Sequence, residues 1–341
     1  MTMAVTSVAA RMPAEWERHE RCLMGWPTRA ELWRHHLDDA KRDYAAIARA
    51  IADYEPVWML ALPANADEAR RVCGSDVEVV EIELDDSWLR DTGPLFVRLP
   101  DGELAGVDFE FNGWGGKYRP FDADARLAAA VLERLDLPRR PGGCVLEGGA
   151  ITVDGEGTLI TTESVLRHPA RNPGMSRHEL ELILGPALGV ERVIWLADGL
   201  AEDRDTDGHV DNVCHFIAPG RVLVQTAPDV DAPNHAILEA NREVLHAARD
   251  ARGRALEVLE LPHLPYLPDA EPPIVVPYLN FYLANDAVIV PVTGAADDAR
   301  ALELIGRALP DRAVVSVPGT ILARGGGGVH CITQQQPAVA P

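Results

Sequence analysis

Apolar and polar positions along this chain repeat in a fixed order: two short strand-like runs joined by a tight turn, an amphipathic helix, then one more apolar strand. The paired runs are clearest at residues 146–164, LEGGAITVDGEGTLITTES, which reverse at Asp154-Gly155-Glu156-Gly157. Similar pairs lie at 88–111, turning at Pro100-Asp101-Gly102, at 210–226, turning at Ala218-Pro219-Gly220, and at 278–292, turning at Asn285-Asp286. A strand at 328–334 lacks a following partner, but residues 19–26, HERCLMGW, supply one from the other end of the chain and make a fifth pair. Residues 176–188, 236–251 and 297–309 have the periodicity of amphipathic helices, and each leads into an apolar strand, at 190–196, 256–261 and 313–317. Five units in 341 residues is about 68 residues each, which suits a radial ββαβ assembly whose closure hides the sheet edges. The pattern predicts an α/β fold, a five-bladed propeller. In the second unit a helix near 122–135 is followed by PRRPGG at 138–143, which reads as a loop. No low-complexity linker divides the chain, so residues 1–341 are expected to form one domain.

Composition narrows the function without fixing it. Hydrophobic residues make up 47% and charged residues 25%, an ordinary globular balance. Asp and Glu number 53 against 32 Lys and Arg, a formal charge of -21, which repels nucleic acid and anionic membrane and favours cationic ligands. The first ten residues have no basic start, and no apolar run approaches a membrane span. The chain is therefore expected to be cytoplasmic, with no nucleic-acid or membrane partner. The five cysteines form no CxxC pair and are odd in number, which argues against a disulfide framework or a zinc ribbon.

Chemistry-bearing residues cluster where the strand pairs begin. Trp88-Leu89-Arg90-Asp91-Thr92-Gly93, Glu147-Gly148-Gly149, Asp205 to Asp211 and Gly325 to Cys331 each set acids or a nucleophile beside glycine. Four such segments at corresponding positions of a repeat suggest one shared central pocket. Cys331 is the candidate nucleophile, a thiol at an exposed strand start beside a glycine run, although most free cysteines are packing residues. His209 and Asp211, two apart, share one face of a strand with His215 beyond them, and such a histidine can serve proton transfer. The same three residues could instead ligate zinc, a reading weakened by the absence of further ligands at recognisable spacing. Asp91 could be a solvated ion-pair partner and Glu147 part of a turn. Together with Asp211, however, they are what a planar guanidinium with its five donors would require. Trp88 and Trp114, in polar glycine-rich surroundings, could wall a pocket or stack on a cation, with plain packing the alternative.

At this point the sequence resembles the agmatine deiminases of the guanidino-modifying (pentein) superfamily, which also contains the bacterial peptidylarginine deiminases. The resemblance rests on MPAEWERH at 12–19, GWP at 25–27, DSWLRDTGP at 86–94, FNGWGG at 111–116, LEGGAITVDGEGT at 146–158, RNPGMS at 171–176, DTDGHVDNVCHF at 205–216, PYLNFYLAN at 277–285 and HCITQQQP at 330–337. It covers almost the whole chain. It implies a five-bladed propeller, Cys331 as nucleophile, His209 as general acid and base, Glu147 as its partner, and Asp91 and Asp211 as guanidinium clamps. Trp88 and Asp205 would lie toward the far end, where agmatine carries its amine. Two positions depart from the family pattern: Gly328 and Asp207 stand where Asn is frequent.

The activity so implied is hydrolysis of agmatine to N-carbamoylputrescine and ammonia through a covalent intermediate on Cys331, with no metal or cofactor, by a homo-oligomer, a dimer. Free arginine would call for a basic residue to meet its α-carboxylate, whereas this motif set offers acids. Peptidylarginine, another guanidino compound, or a zinc-binding or non-catalytic propeller that binds polyamines are the competing readings.

Overall fold

Each strand pair closes as an antiparallel hairpin because its central residues are turn formers, and each following helix returns the chain so that the next strand adds in parallel to the hairpin's second strand. The computed structural model describes residues 10–339. The first blade contains β1 (His19–Gly25), α1 (Leu37–Ala52), β2 (Val57–Ala61), α2 (Ala66–Cys73) and β3 (Glu78–Glu81). The second has β4 (Leu95–Arg98), β5 (Leu104–Glu110), α3 (Asp124–Arg134) and β6 (Arg139–Val145). The third has β7 (Ile151–Val153), β8 (Thr158–Thr162), α4 (Arg177–Leu188) and β9 (Arg192–Leu196). The fourth has β10 (Cys214–Ala218), β11 (Arg221–Gln225), α5 (His235–Ala247) and β12 (Glu257–Leu261). The fifth has β13 (Tyr282–Ala284), β14 (Ala287–Val292), α6 (Asp298–Ala308) and β15 (Ala313–Pro318). The last strand, β16 (Thr333–Pro337), returns to pair antiparallel with β1. The result is five sheets in the order β16-β1-β2-β3, β4-β5-β6, β7-β8-β9, β10-β11-β12 and β13-β14-β15. No helix among the described residues is long and apolar enough to cross a membrane.

What makes these sheets a ring is where the helices pack. The helix of one blade lies on the outer strand of the blade before it: α4 on β6, α5 on β9, α6 on β12, and α1 on β15. Val80 of β3 and Leu127, Val131 and Leu132 of α3 share an apolar cluster that completes the cycle. The core is accordingly divided into wedges between neighbouring blades. Tyr44, Ile47 and Ile51 of α1, for instance, join Ile289 and Val317 of the fifth blade. First strands such as β7 and β13 are buried along their whole length, whereas outer strands such as β12 and β15 are exposed or half-buried at most positions.

Three expectations need adjustment. Residues 138–143 lead into a strand, β6, rather than forming a loop. This is an edge strand with a register shift opposite Asp108 and Glu110, and an edge at a bulge tolerates proline and glycine that a central strand would reject. The C-terminal strand begins at Thr333 because the preceding residues turn, with the Thr333 hydroxyl donating to the carbonyls of Val329 and His330. The first blade also carries one helix and strand beyond the repeating unit.

The seam between the fifth and first blades holds a buried polar knot. Tyr282 donates its hydroxyl proton to Glu55 Oε1 at 2.6 Å, the Asn285 main-chain N–H donates to Glu55 Oε2 at 2.7 Å, and the Asn285 side chain bonds both main-chain groups of His19. Replacing Tyr282 with Phe leaves the Glu55 carboxylate one donor short where water is excluded. The expected cost is about 2 kcal/mol of folding stability, read as a melting temperature a few degrees below wild type.

Candidate active site

The turn that precedes the first strand of every blade runs to the same end of the ring, which is how residues far apart in sequence meet. From the second blade come Trp88 and Asp91, the latter in the one-turn helix Leu89–Thr92. From the third comes Glu147, ahead of the turn Gly148–Ala150. The fourth supplies His209 and Asp211 around the turn Val210–Asn212, and the first supplies Cys331 ahead of β16. The fifth supplies Asn280, which lies in the PYLNFYLAN motif but was not among the expected site residues. The pseudo-five-fold repeat was the signal that could have singled it out.

Two local expectations are corrected. His209 and Asp211 do not lie on a strand: positive φ angles of 67° at Asp207 and 97° at Gly208 reverse the chain, and Asp211 sits in the turn. His215 alone of the three is in β10, and its Nε2 lies 3.0 Å from the Asp211 carbonyl. Nor is Cys331 exposed; only 6% of its surface reaches solvent.

At the centre, Cys331 Sγ lies 3.3 Å from Asn280 Oδ1 and 3.6 Å from Asp211 Oδ2. His209 Nδ1 is 3.8 Å from Asp91 Oδ1, its Nε2 is 3.8 Å from Glu147 Oε2, and among the described residues neither ring nitrogen has a hydrogen-bond partner. Asp91 is fixed by donors at both oxygens, Trp114 Nε1 at 2.8 Å and the Gly149 N–H at 3.0 Å. Glu147 is already occupied by a resident guanidinium, since Arg171 Nε reaches both its oxygens at 2.8 and 2.9 Å. Arg171 Nη1 in turn meets Asp207 at 2.6 Å, and Lys117 Nζ meets the same carboxylate at 2.6 Å. Neither Arg171 nor Lys117 was foreseen, because a cation serving an internal acid leaves no distinctive spacing. The two departures from the family pattern have local reasons. Asp207 pairs with Arg171 and Lys117, and a Cβ at Gly328 would stand 2.4 Å from Asn280 Oδ1.

From Cys331 a narrow cleft leads outward, lined by Asp91, Trp88, Trp114, Leu32, Tyr118, Asp86, Asp205, Thr206, Gly325 and Gly326. Trp88 stacks on Trp33 with ring centroids 5.8 Å apart, while Trp114 meets Tyr118 edge-on at 5.5 Å. Tyr118 donates its hydroxyl proton to Asp205 Oδ1, and Lys117 Nζ donates to the Arg204 and Asp205 carbonyls at 2.8 and 3.0 Å. Asp86 pairs with Arg29 at 3.2 Å behind the wall, and burial holds its carboxyl up at about 6.

The charges follow from burial and proximity. Burial alone would keep His209 neutral, but Asp91, Glu147 and Asp211 outweigh it and raise its pKa to about 9. Burial also works against Glu147, yet His209 and Arg171 hold it below the usual carboxylate range. Asp91 has burial and Glu147 against it and is raised. The Cys331 thiol is pushed well up by burial and by Asp211 and Asp91. The zinc trio read from sequence does not assemble. Among the described residues the trio close enough to share an ion is Glu15, His215 and His330. There both ring nitrogens of His330 already face carboxylates, Glu15 at 3.1 Å and Asp211 at 2.9 Å, and Arg90 lies 3.5 Å from Glu15. Those acids have their counter-charge in protein cations.

A five-bladed ββαβ ring with a cysteine, a histidine and carboxylates gathered at one end of its axis defines a pentein, the architecture of guanidino-modifying enzymes. The chain belongs to the Porphyromonas-type peptidyl-arginine deiminase family, whose model matches residues 11–337. It is 43% identical over 352 residues to the agmatine deiminase of Pseudomonas aeruginosa, covering 96% of this chain and 95% of that one. With the agmatine deiminase of Stutzerimonas stutzeri it shares 44% over 352 residues at the same coverage. The structure of the agmatine deiminase of Enterococcus faecalis matches all of both chains with a TM-score of 0.92 at 34% identity.

Gly149 is the tightest point of the site. A Cβ there would stand 2.6 Å from His209 Nδ1, 2.9 Å from Asp211 Oδ2 and 3.0 Å from Asp91 Oδ1. Gly149→Ala is therefore expected to displace these groups and to cut kcat/KM for deimination about a hundredfold. An unchanged far-ultraviolet circular dichroism spectrum would show that the fold survives.

Proposed function

We propose that this chain hydrolyses agmatine to N-carbamoylputrescine and ammonia, with Cys331 as nucleophile. One observation carries the choice of substrate: the walls of the cleft leading to Cys331 include the buried Asp91 and the more exposed Asp205, and among the described residues none that lines it is Lys or Arg. A chain with a guanidinium at one end and an amine at the other fits such a cleft. An α-carboxylate would meet acid without a counter-charge. The aromatic walls of Trp88 and Trp114 suit the alkyl chain between the two cations.

In the first half-reaction the bound guanidinium, a permanent cation, favours the Cys331 thiolate over the thiol, and the thiolate attacks the guanidinium carbon. His209 gives its proton to one amino group, which leaves as ammonia, and an amidino-thioether cation remains on Cys331. Water takes the vacated place and attacks the same carbon as neutral His209 removes one of its protons. The adduct collapses with loss of its remaining hydroxyl proton to solvent, the C–S bond breaks, and the ureido product leaves with the thiolate restored. One water enters, one ammonia leaves, and the positive charge departs as ammonium. Asp91 and Asp211 would hold the guanidinium, while Glu147, itself held by Arg171, would set the basicity of His209. The finer expectations of a dimer working in the cytoplasm belong to the same reading.

Ammonia release measured side by side on agmatine, arginine and a blocked arginyl peptide tests the substrate. Agmatine is expected to turn over fastest, Cys331→Ala to be inactive, and Asp205→Asn to raise KM for agmatine about tenfold or more by removing one charged partner. Agmatine inert while another guanidine turns over would overturn the substrate assignment and leave the reaction class standing.

The pH profile tests the role of His209. As an imidazolium acid with a pKa near 9 it is protonated below that value, so kcat is expected to fall as pH rises through it. Glu147→Gln removes an anion that stabilises the protonated ring, so the alkaline limb should move to lower pH.

A further inference from the structure

Behind Cys331 lies a buried chain of charges that the reaction above leaves unused. His330 has no exposed surface. Its Nδ1 donates to Asp211 Oδ2 at 2.9 Å and its Nε2 faces both oxygens of Glu15 at 3.1 Å. A ring with a carboxylate at each nitrogen carries both protons, so His330 is a buried cation. Arg90, from the second blade, braces the same unit. Its Nη1 is 3.5 Å from Glu15, its Nε donates to the His330 carbonyl at 3.3 Å, and its main-chain N–H donates to the Cys331 carbonyl at 3.2 Å. The oxygen of Asp211 bound to His330 is also the one 3.6 Å from Cys331 Sγ, while Asp211 Oδ1 has no partner among the described residues.

We infer that His330, held by Glu15 and Arg90, is a positioning residue that fixes the rotamer of Asp211 and offsets the negative charge Asp211 places beside the nucleophile. The inference rests on Cys331 being the nucleophile of the proposed reaction. Without the imidazolium, a carboxylate 3.6 Å from Sγ would oppose the thiolate with nothing behind it. The groups facing His330 are Glu15, Asp211, Arg90 and His215, whose ring centroid is 4.7 Å away. Burial and His330 together lower His215 to about 4, so it stays neutral. Burial and Arg90 work against the His330 cation, but Glu15 and Asp211 outweigh them and raise its pKa. The groups facing Cys331 are Asp211, Asp91 and Tyr44, whose phenol burial keeps neutral.

The test is the rate at which iodoacetamide alkylates Cys331 in the full-length protein at about pH 8.5, located by mass spectrometry, since the rate follows the thiolate fraction. His330→Gln keeps a donor toward Asp211 but no charge, and is expected to slow Cys331 alkylation about tenfold, the effect of a rise of about one pKa unit. Glu15→Gln, which weakens the His330 cation without deleting the ring, is expected to slow it less. A merely structural role would loosen the pocket and speed alkylation, so an unchanged or faster rate in a folded variant overturns the inference. If circular dichroism shows that His330→Gln does not fold, Glu15→Gln decides in the same way, slower supporting and unchanged or faster overturning. Alkylation needs no turnover, so an error in the substrate is read separately, by the ammonia assay.

Discussion

A carboxylate taken out of water must find a cation or strong donors, and the region around Cys331 is arranged by that demand. Glu147 has Arg171, Glu15 has His330 and Arg90, Asp86 has Arg29, and Asp207 has both Arg171 and Lys117. Three acids are left less than fully answered. Among the described residues, Asp91 has two neutral N–H donors, Asp211 keeps one oxygen without a partner, and Asp205 has the hydroxyl of Tyr118. Two of the three border the cleft, and the third lies against the thiol at its inner end. What is left over is a need for positive charge at two separated points, which a ligand can satisfy more completely than water can in so narrow a space.

The ring is what lets distant residues meet this demand together. Arg90 bonds the carbonyl of His330 across 240 positions of sequence, and Asn280 reaches Cys331 across 51. Both contacts arise because equivalent turns of different blades end at one axis. A helix packed on the outer strand of the blade before it fixes each blade's orientation, so the precision of the site depends on wedges of apolar packing well away from it. The knot of His19, Glu55, Tyr282 and Asn285 at the seam between the fifth and first blades has the same purpose, since the first blade supplies Cys331 and the fifth supplies Asn280.

Much of the fold was legible because hairpins announce themselves twice, in the turn residues and in the apolar runs that flank them. Residues 146–164 show both, whereas β6 hid behind Pro141, Gly142 and Gly143, turn formers that an edge strand at a bulge can accommodate. The acids and the cysteine at the blade starts could be picked out as candidates because they stood beside glycines at repeat-equivalent positions. Their immediate setting could not. A strand assumed for His209 and Asp211 is a turn, and the exposure assumed for Cys331 is burial. Arg171, Lys117, Glu15 and His330 act through partners that no local spacing encodes, because their contacts span from 24 to 315 positions of sequence.

Burial of Cys331 changes how its chemistry must be timed. Burial, with Asp211 and Asp91 alongside, holds the thiol form, which slows adventitious oxidation and alkylation. In the proposed reaction the guanidinium reverses the local field on arrival, so the group to be attacked also supplies the charge that ionises the attacker. The ureido product is neutral and cannot sustain that field. Once it forms, the acids again oppose the thiolate, and the driving force for return attack disappears with the charge. Selection for a cation and release of a neutral product thus follow from one feature, carboxylates kept short of positive charge around a buried thiol.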